Sequence, residues 1–549
     1  MSEDHERVLA YHARSKHNPG RYAAALGYLD WDSQPNPFRI YTGAETLALP
    51  RRAQSPGSSF EAVLRGTVAA TPLDLEWLDT FLFHSLALSA WKQTGSSRWS
   101  LRVNPSSGNL HPTEAYLLLP AITGLSDAPG LYHYSPLLHA LERRATLSAA
   151  TWHALTNHLP QPCVLVGLSS IAWREAWKYG ERAFRYCQHD LGHAVAALAV
   201  SAALLGWRAH ELPAAGDDAL ATLLGLRHGE GPEAELPETL LVLAPKHMSR
   251  GTYATWTPPP TALTDLAAAS LSGEPNQLSE AHHDWPVIDE VARATRRPPA
   301  AALPESTTVE STTVEPTSLE SPPDPASPPA AALIRGRRSA VAMDGRTGLI
   351  KAGFYDMLRS TCPGGLVTGA LSGPARVDLA LFVHRVDGLE PGLYLLLRDP
   401  ARAALWRAAA DPTFVWTRPP ACPADLDLWL LRAGDGRQLA AEISCGQAIA
   451  ADGCFALAML ADLRDLPNAP WLYRRLFWET GAIGQILYLE AEALGIAATG
   501  IGCFFDDRMH ALLGLQGQTM QSLYHFTVGG RIEDDRLRTL DPYFHIPAP

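Results

Sequence analysis

Residues 185–226 read RYCQHDLGHAVAALAVSAALLGWRAHELPAAGDDALATLLGL, and residues 474–515 read RRLFWETGAIGQILYLEAEALGIAATGIGCFFDDRMHALLGL. The two stretches align without a gap at an offset of 289, the difference between Arg474 and Arg185, and 13 of their 42 positions are identical. Such self-similarity indicates an internal repeat. A second block, Pro-Gly-Leu-Tyr, occurs at residues 129–132 and again at 391–394. We infer a gene duplication and fusion, which predicts two similar halves packed against each other as a pseudo-dimer.

Both halves combine short apolar runs with one long apolar helix. Strands are predicted at Tyr116–Leu119, Pro162–Ser169, Asp378–His384 and Cys454–Leu460, and helices at Phe184–Gly206 and Phe477–Gly495. A glycine ends each helix, as is common at helix C-termini. The run Ala194–Val200 is apolar on most sides, which is typical of a buried helix. The predicted fold class is α+β: two fused domains, each a mixed sheet flanked by helices, with the long helices at the centre.

One segment has the composition of a linker. From Arg297 to about Ala332 the chain is rich in Pro, Ser, Thr, Glu and Ala, and the five-residue unit Glu-Ser-Thr-Thr-Val occurs twice from Glu305. Such a segment buries too little apolar surface to offset its ordering entropy. The stretch from Met248 is weakly patterned and reads as a helical arm or as further linker. We therefore predict a first domain at 1–250, a linker at 251–332 and a second domain at 333–549.

Composition and charge exclude several classes of protein. The net charge is −12 and no basic block occurs, which argues against nucleic-acid binding. The N-terminus lacks the basic and apolar regions of a signal peptide, and no apolar run is long enough to span a bilayer. These features predict a cytoplasmic protein without membrane contact. None of the seven cysteines forms a Cys-x-x-Cys pair, so the sequence predicts neither a metal site nor a redox dithiol, but reduced, mostly buried thiols.

The most specific motif is RVNPSSGNLHPTE at residues 102–114, directly before an apolar strand. Two prolines, a glycine and several small polar residues make a tight loop that is rich in N–H and hydroxyl donors. Such a loop suits a planar heteroaromatic ring whose edge carries carbonyls and ring nitrogens. The alternative interpretation is an ordinary turn.

With this motif the chain resembles the nitroreductase superfamily, and most closely the SagB-type dehydrogenases, which form thiazoles and oxazoles. The resemblance covers nearly the whole chain outside the linker. It is carried by Ser15–His17, the 102–114 loop, Trp177–Asp190, Arg335–Ser339 and Gly495–Gly502. In that family a Pro-Ser-Ser-x-Asn loop from one subunit covers the flavin held by the other. The resemblance implies an FMN-dependent oxidoreductase that transfers hydride to or from flavin N5, with a peptide or small molecule as its substrate.

The resemblance also assigns roles to individual residues. The implied catalytic pair is Lys178 and Tyr179, which would supply the base that removes a carbon-bound proton from the substrate. The implied FMN-binding residues are Pro105, Ser106, Ser107 and Asn109 in the covering loop, Arg337, Arg338 and Ser339 at the phosphate, Arg536 and Arg538 as a later basic pair, and Thr499, Gly500, Ile501 and Gly502 near N5. Guanidinium groups suit phosphate oxygens, and glycines admit a close flat ligand.

Each half has lost what the other half keeps. At the offset of 289, residues 499–502 correspond to His210-Glu-Leu-Pro and the Lys178–Tyr179 pair to Pro467-Asn. The start of the first half, Ser15-Lys-His, lacks the Arg-Arg-Ser form, and the second half has no covering loop at 361–375. We therefore predict one composite FMN site and a second, degenerate site.

Other interpretations stay open at this point. Arg337–Ser339 would also fit a basic surface patch, Thr499–Gly502 a helix cap and turn, and Lys178 a structural lysine. The residues His189, Asp190, His193 and Glu479 read as interface residues rather than catalysts. Azoline oxidation competes with nitro or quinone reduction that uses NAD(P)H as the electron donor. A non-catalytic flavin- or peptide-binding module of a biosynthetic complex is the other class, and a further homodimer of the fused chain is also open.

Overall fold

The computed structural model describes residues 2–51, 57–226, 231–246, 253–301, 303 and 327–547. Its helices are α1 (Glu3–Arg14), α2 (Phe60–Arg65), α3 (Leu75–Phe83), α4 (Ala149–Thr156), α5 (Ala172–Tyr179), α6 (Ala183–Leu204), α7 (Asp217–Leu223), α8 (Pro260–Ala268), α9 (Pro286–Ala294), α10 (Ala330–Gly336), α11 (Lys351–Ser360), α12 (Ala403–Ala409), α13 (Arg437–Ile443), α14 (Ile449–Asp452), α15 (Leu472–Ala493) and α16 (Asp506–Leu513).

The strands of the first half are β1 (Tyr41–Thr42), β2 (Glu45–Ala48), β3 (Leu88–Thr94), β4 (Ser97–Arg102), β5 (Thr113–Leu119), β6 (Gly130–Ser135), β7 (Ala140–Thr146), β8 (Val164–Ile171), β9 (Trp207–Glu211), β10 (Glu235–Pro245) and β11 (Glu274–Pro275). The later strands are β12 (Leu349–Ile350), β13 (Val377–Val383), β14 (Val386–Asp387), β15 (Gly392–Leu397), β16 (Asp427–Ala433), β17 (Phe455–Ala461), β18 (Ala497–Ile501), β19 (Gln521–Gly529) and β20 (Arg538–Leu540).

Two sheets of the same topology confirm the α+β fold class and the internal repeat. The strand order of the first is β2-β7-β6-β5-β8-β10-β9, and that of the second is β16-β15-β13-β17-β19-β18. Apart from β2, each strand of the first sheet has a counterpart at the same place in the second. Neighbouring strands pair antiparallel in both sheets, instead of the predicted mixture of directions. Short hairpin connections such as those joining β5, β6 and β7 produce this arrangement, because parallel neighbours need long crossovers.

The two long helices are buried and pack closely against each other. Every residue of α6 is buried, and α15 begins at Leu472, earlier than the predicted Phe477. A Cβ atom on Gly192 would collide with the backbone of Trp478, and one on Gly481 with the carbonyl oxygen of His189. The glycine shared by both copies of the repeat therefore permits backbone contact between the helices.

The halves also share their hydrophobic cores. The α15 side chains Trp478 and Ile486 lie in the apolar cluster of the first sheet. In exchange, Tyr11 of α1 and Phe184 of α6 lie in the cluster of the second sheet. The last strand, β20, pairs with β3, so the C-terminal segment returns to the first half. The largest cluster around each sheet therefore contains side chains from both halves, whereas a smaller cluster between Ala380 and Met520 belongs to the second half alone.

Part of the predicted linker is folded. Within residues 251–332, the described stretch 253–301 contains α8, β11 and α9, and Ile288, Val291 and Ala294 of α9 are buried. A nine-residue helix buries only a narrow apolar face, and the average composition of the segment does not reveal it. The repeated Glu-Ser-Thr-Thr-Val units lie outside the described residues. The boundaries of the two domains stay a prediction.

The structure also changes the counterpart of residues 15–17. The sequence analysis compares residues 15–17 with Arg337–Ser339. In the structure, however, the His17 backbone N–H donates to Asp506 at 3.1 Å, and the Arg297 backbone N–H makes the same kind of contact with Asp217 at 3.0 Å. Because Asp506 and Asp217 are equivalent in the repeat, residues near Arg297 are the counterpart of this segment.

No helix in the described part of the chain combines the length and apolar character needed to cross a membrane.

Candidate functional site

The predicted covering loop is tied down onto α6. Ser107 donates to Asp190 from its backbone N–H and from its Oγ, each at 2.9 Å. The Asn109 side chain donates to the Ser100 carbonyl at 2.8 Å, and Ser106 Oγ accepts from the His111 N–H at 2.7 Å. Burial raises the pKa of Asp190 to about 7, against the lowering effect of the serine hydrogen bonds. These bonds hold the loop in one conformation above the central helix.

A row of contacts connects this loop with the end of β18. The Tyr179 hydroxyl lies against Gly108, where a Cβ atom would be 2.6 Å from it. The Tyr179 and Tyr186 rings meet edge to face with their centroids 4.5 Å apart. Tyr186 in turn packs on Gly502, where a Cβ atom would collide with its ring. The structure thus brings together the loop, the Lys178–Tyr179 pair and the 499–502 segment, which are far apart in sequence.

The 499–502 segment is mostly strand rather than the predicted loop. Thr499, Gly500 and Ile501 belong to β18 and pair with β19. The Gly500 N–H donates to Tyr488 Oη at 3.2 Å, and the Tyr524 hydroxyl occupies the space that a Cβ atom on Gly500 would need. Because Gly500 and Gly502 have no Cβ atoms, tyrosine side chains can pack against the strand at these positions. The pattern of two glycines resembled a turn because the pairing of β18 depends on a distant strand.

The predicted phosphate-binding residues lie beside this strand. Ser339 bridges to Ala498 of β18, and its Oγ lies 2.8 Å from Tyr488 Oη, the same hydroxyl that Gly500 contacts. Arg337 is buried and donates to the Val103 carbonyl, just before the covering loop, at 3.0 Å. The segment 337–339 therefore contacts both the β18 strand of the second half and the loop of the first half.

Positive charge is in excess around Arg338. Burial, together with the charges of Arg337 and Arg335, lowers the pKa of Arg338 to about 10. Burial and the charge of Arg338 also lower the pKa of Lys92. Arg531 adds a further positive charge and pairs with two carboxylates, Glu533 at 2.5 Å and Glu492 at 3.4 Å. Mutual repulsion among cations makes this cluster a suitable place for an anion.

Lys92 and Arg531 were not predicted from the sequence. Arg531 directly follows two glycines at the end of β19, which is a weak signal. Lys92 gave no signal, because its role depends on β3 lying beside the end of α10. Of the predicted later pair, Arg536 is 85% exposed and pairs with Asp534, and Arg538 is exposed in β20 next to β3. The described structure does not place Arg536 within the cationic cluster.

The catalytic candidates share their helix with a buried acid that the sequence reading missed. The Lys178 ammonium lies 5.3 Å from the centroid of the Tyr179 ring. Burial, followed by the charge of Glu175, raises the pKa of Tyr179 well above its usual value. Glu175 is fully buried, and neither carboxyl oxygen has a hydrogen-bond partner among the described residues. Burial and the nearby Asp190 raise the pKa of Glu175 well above the usual range.

The other histidines and acids of the central helices have structural contacts. His189 stacks on Tyr524 with centroids 4.1 Å apart, and His193 Nε2 lies 3.3 Å from the Tyr524 hydroxyl. Glu479, the repeat counterpart of Asp190, accepts from the Arg376 and Val377 backbone N–H groups. These positions agree with the interface roles that the sequence predicts for them.

The equivalent place in the other half is filled by an ion cluster. In the repeat, Gly500 corresponds to Glu211 and Tyr186 to Arg475. The Glu211 and Arg475 side chains form a buried salt bridge, and Arg297 approaches Glu211 at 3.5 Å. The backbone N–H of Ser372 also donates to Glu211, at 3.1 Å. Charged side chains therefore occupy the space that the glycine and tyrosines shape in the first site.

Known proteins resemble the chain in fold and, locally, in sequence. The sequence model of the nitroreductase family matches residues 432–530. A crystal structure described as a candidate nitroreductase from Anabaena variabilis is 22% identical, with a TM-score of 0.69, and covers 96% of this chain and 99% of its own. No curated protein sequence matches the chain.

Two further structures align with parts of the chain at low scores. The Escherichia coli microcin synthetase McbBCD complex with truncated pro-MccB17 is 16% identical, with a TM-score of 0.26, over 45% of this chain and 94% of its own. A nitroreductase in complex with FMN from Exiguobacterium sibiricum is 11% identical, with a TM-score of 0.23, over 37% and 88%. The family model thus matches part of the second half in sequence, and the whole-length alignment shows that the chain has the nitroreductase fold in both of its halves.

Proposed function

We propose that the chain is an FMN-dependent oxidoreductase with one composite flavin site between its halves. One observation carries the proposal: the 103–109 loop, the Lys178–Tyr179 pair, β18 and the Arg337–Ser339 segment converge through shared contacts. The first two come from one half and the last two from the other. In the family that the sequence resembles, such a set encloses the flavin.

The residues present fit FMN. The cationic cluster suits a phosphate dianion because its lysine and arginine side chains outnumber the two carboxylates that pair with Arg531, Glu492 and Glu533. Arg337 Nε and Asn104 Oδ1 are buried without hydrogen-bond partners among the described residues, although such groups are usually paired. A donor beside the phosphate cluster and an acceptor beside the covering loop are therefore available to a ligand. Arg337, Arg338 and Ser339 would hold the phosphate, and residues 105–109 would cover the ring.

The other half supports a single FMN for each chain. Glu211 stands where Gly500 stands in the composite site, and its salt bridge with Arg475 is buried. A second flavin would have to break this ion cluster and leave charges unpaired, which is costly in a protein interior. We therefore expect one tightly bound FMN.

Within this class we propose a SagB-type dehydrogenation of an azoline in a peptide or small molecule. When bound, FMN supplies two-electron hydride chemistry. The substrate loses a hydride and a proton, and the five-membered ring becomes aromatic. Lys178 accepts the carbon-bound proton, while the Tyr179 phenol, which stays protonated, donates a hydrogen bond that orients the reacting group.

Flavin titration and reduction test the proposal. Purified protein is saturated with FMN, released flavin is quantified against protein, and the bound flavin is followed at its visible absorption. We expect one FMN for each chain and bleaching by an azoline-containing peptide under anaerobic conditions. Bleaching by NAD(P)H alone would favour nitro or quinone reduction. Protein that never binds FMN would be a non-catalytic module and would overturn the proposal.

A further inference from the structure

Two cysteines that are 58 positions apart meet next to the composite site. Cys445 Sγ and Cys503 Sγ lie 2.7 Å apart, and either thiol can serve as the donor. Cys503 directly follows Gly502, on which Tyr186 packs. The sequence predicts no redox dithiol because it contains no Cys-x-x-Cys pair. The structure forms the pair instead from the turn after α13 and the segment after β18.

Hydrogen bonds on both sides of the cysteines hold the two segments together. The Phe505 N–H donates to the Ile443 carbonyl at 2.7 Å, and Gln447 Nε2 donates to the Cys503 carbonyl at 2.9 Å. Cys445 itself adopts a left-handed backbone conformation with φ of 55°. Because these contacts flank the cysteines in both segments, the thiols meet without any larger movement of the chain.

The pair is accessible and electrically asymmetric. Both cysteines are half-buried, so small reagents can reach them. The Cys445 thiol and the nearby Arg182 guanidinium lower the pKa of Cys503, whereas contact with Cys503 raises that of Cys445. An attacking thiolate next to a thiol that can resolve it is the arrangement of reactive dithiols. The described residues contain no group of three or more His, Cys, Asp or Glu side chains suited to a metal.

We propose that Cys445 and Cys503 form a reversible redox pair that exchanges with small-molecule disulfides. The Cys503 thiolate attacks one sulfur of the disulfide RSSR, forms a mixed disulfide and releases one thiolate. Cys445 then loses its proton to solvent and attacks the Cys503 sulfur, which releases the second thiolate. The two protein thiols are oxidised to a disulfide, and RSSR is reduced to two RSH. The new bond joins the end of β18 to the turn after α13.

Thiol counting with oxidised glutathione tests this pair without relying on flavin or substrate. After equilibration, quenching and denaturation, the wild-type chain should lose two of its seven titratable thiols. Its mass should fall by two hydrogen atoms, without added glutathione. Peptide mapping under non-reducing conditions should show Cys445 joined to Cys503, and dithiothreitol should restore all thiols.

Single serine variants supply the controls. Cys445→Ser should accumulate glutathione on Cys503 instead of an internal bond, and Cys503→Ser should form no internal disulfide. Cys422→Ser is the matched control, because Cys422 is also half-buried and its sulfur lies 3.7 Å from the Pro423 and Leu426 carbonyl oxygens. This variant should still lose two thiols. Seven titratable thiols in oxidised wild-type protein, or an internal bond that survives in Cys503→Ser, would overturn the proposal. Wild-type mapping remains decisive even if a variant misfolds.

Discussion

Arg185 Nη1 of α6 donates a hydrogen bond to Asp506 Oδ1 of the other half at 2.8 Å. The repeat counterparts make the reverse contact, because Arg474 of α15 donates to Asp217 at 2.6 Å. All four side chains are buried. Each copy of the repeat therefore supplies the arginine for one ion pair and the aspartate for the other, and the two halves depend on each other for charge neutralisation.

Asp506→Asn should strongly destabilise the fold. Burial alone would raise the pKa of Asp506, but the Arg182 and Arg185 guanidiniums hold it well below its usual range. The substitution leaves buried positive charge unpaired, and we expect a loss of about 3–5 kcal/mol in the free energy of unfolding. Asp507→Asn is the control, because that side chain is 53% exposed, and it should cost less than about 1 kcal/mol. Urea unfolding followed by tryptophan fluorescence measures both; equal losses would contradict the argument.

Gly192→Ala should disturb the contact between the central helices. The added Cβ atom would collide with the Trp478 backbone, which cannot rotate away as a side chain can. We expect a loss of about 1–3 kcal/mol or more, the usual cost of overpacking. Gly20→Ala places its Cβ atom in open space and should be close to neutral. Thermal unfolding compares the two variants, and a Gly192→Ala protein as stable as wild type would refute the close crossing.

Arg338→Ala should weaken FMN more than riboflavin. If the cationic cluster binds the phosphate, the loss of one guanidinium should cost about 1.5–3 kcal/mol in FMN affinity. Riboflavin has no phosphate and should bind nearly as before. Arg536→Ala should leave FMN affinity unchanged, since Arg536 is exposed and paired with Asp534. Fluorescence titration gives the dissociation constants, and an equal loss for both ligands would mean that Arg338 acts through folding.

Lys178→Ala and Tyr179→Phe should separate chemistry from cofactor binding. The covering loop, β18 and the phosphate cluster do not need Lys178, and a phenylalanine keeps the ring that packs on Tyr186. Both variants should retain FMN and stability but slow azoline oxidation by about 10²–10⁴-fold, the usual contribution of a general base. Lys178→Arg should not restore the rate, because a guanidinium stays protonated.

Nitro or quinone reduction by NAD(P)H needs no such base. If the Lys178 and Tyr179 variants reduce these acceptors at wild-type rates, and if the wild-type protein oxidises no azoline, the azoline mechanism is wrong. It would leave the flavoprotein proposal intact. Stopped-flow recording of flavin reduction and reoxidation distinguishes the two reactions, since each half-reaction is observed separately.

The unfolding free energy should fall at alkaline pH because of His133. Burial alone would lower its pKa, but hydrogen bonds to Glu114 and Glu142 raise it from 6.5 to about 9. A raised folded-state pKa means that this stabilisation is complete below about pH 6.5 and is lost as the pH rises through about 9. Glu142→Gln should shift the alkaline loss to lower pH. The urea unfolding midpoints of both proteins are measured between pH 6 and pH 10. Identical pH profiles for the two proteins would contradict the prediction.

The sequence by itself determined the repeat, the fold class and the main elements. The strands β5, β8, β13 and β17 and both long helices lie where the apolar patterns predict them. Local patterns suffice here because the spacing of apolar residues along the chain indicates whether one face or a whole helix is buried. The roles proposed for Lys178 and Arg338 also came from the sequence, through a family resemblance, and stay predictions.

The tertiary structure decided which distant residues meet. Glu175, Lys92 and the Cys445–Cys503 pair carry no local signal, because their environments are made by other segments of the chain. Glu211 is visible in the repeat as the counterpart of Gly500, but only the structure shows that Arg475 of the other half pairs with it. Electrostatic interactions and burial depend on distance in space rather than in sequence. The substitutions that distinguish the two equivalent places are therefore visible in the repeat, whereas the ion pairs that occupy one of them depend on how the halves pack.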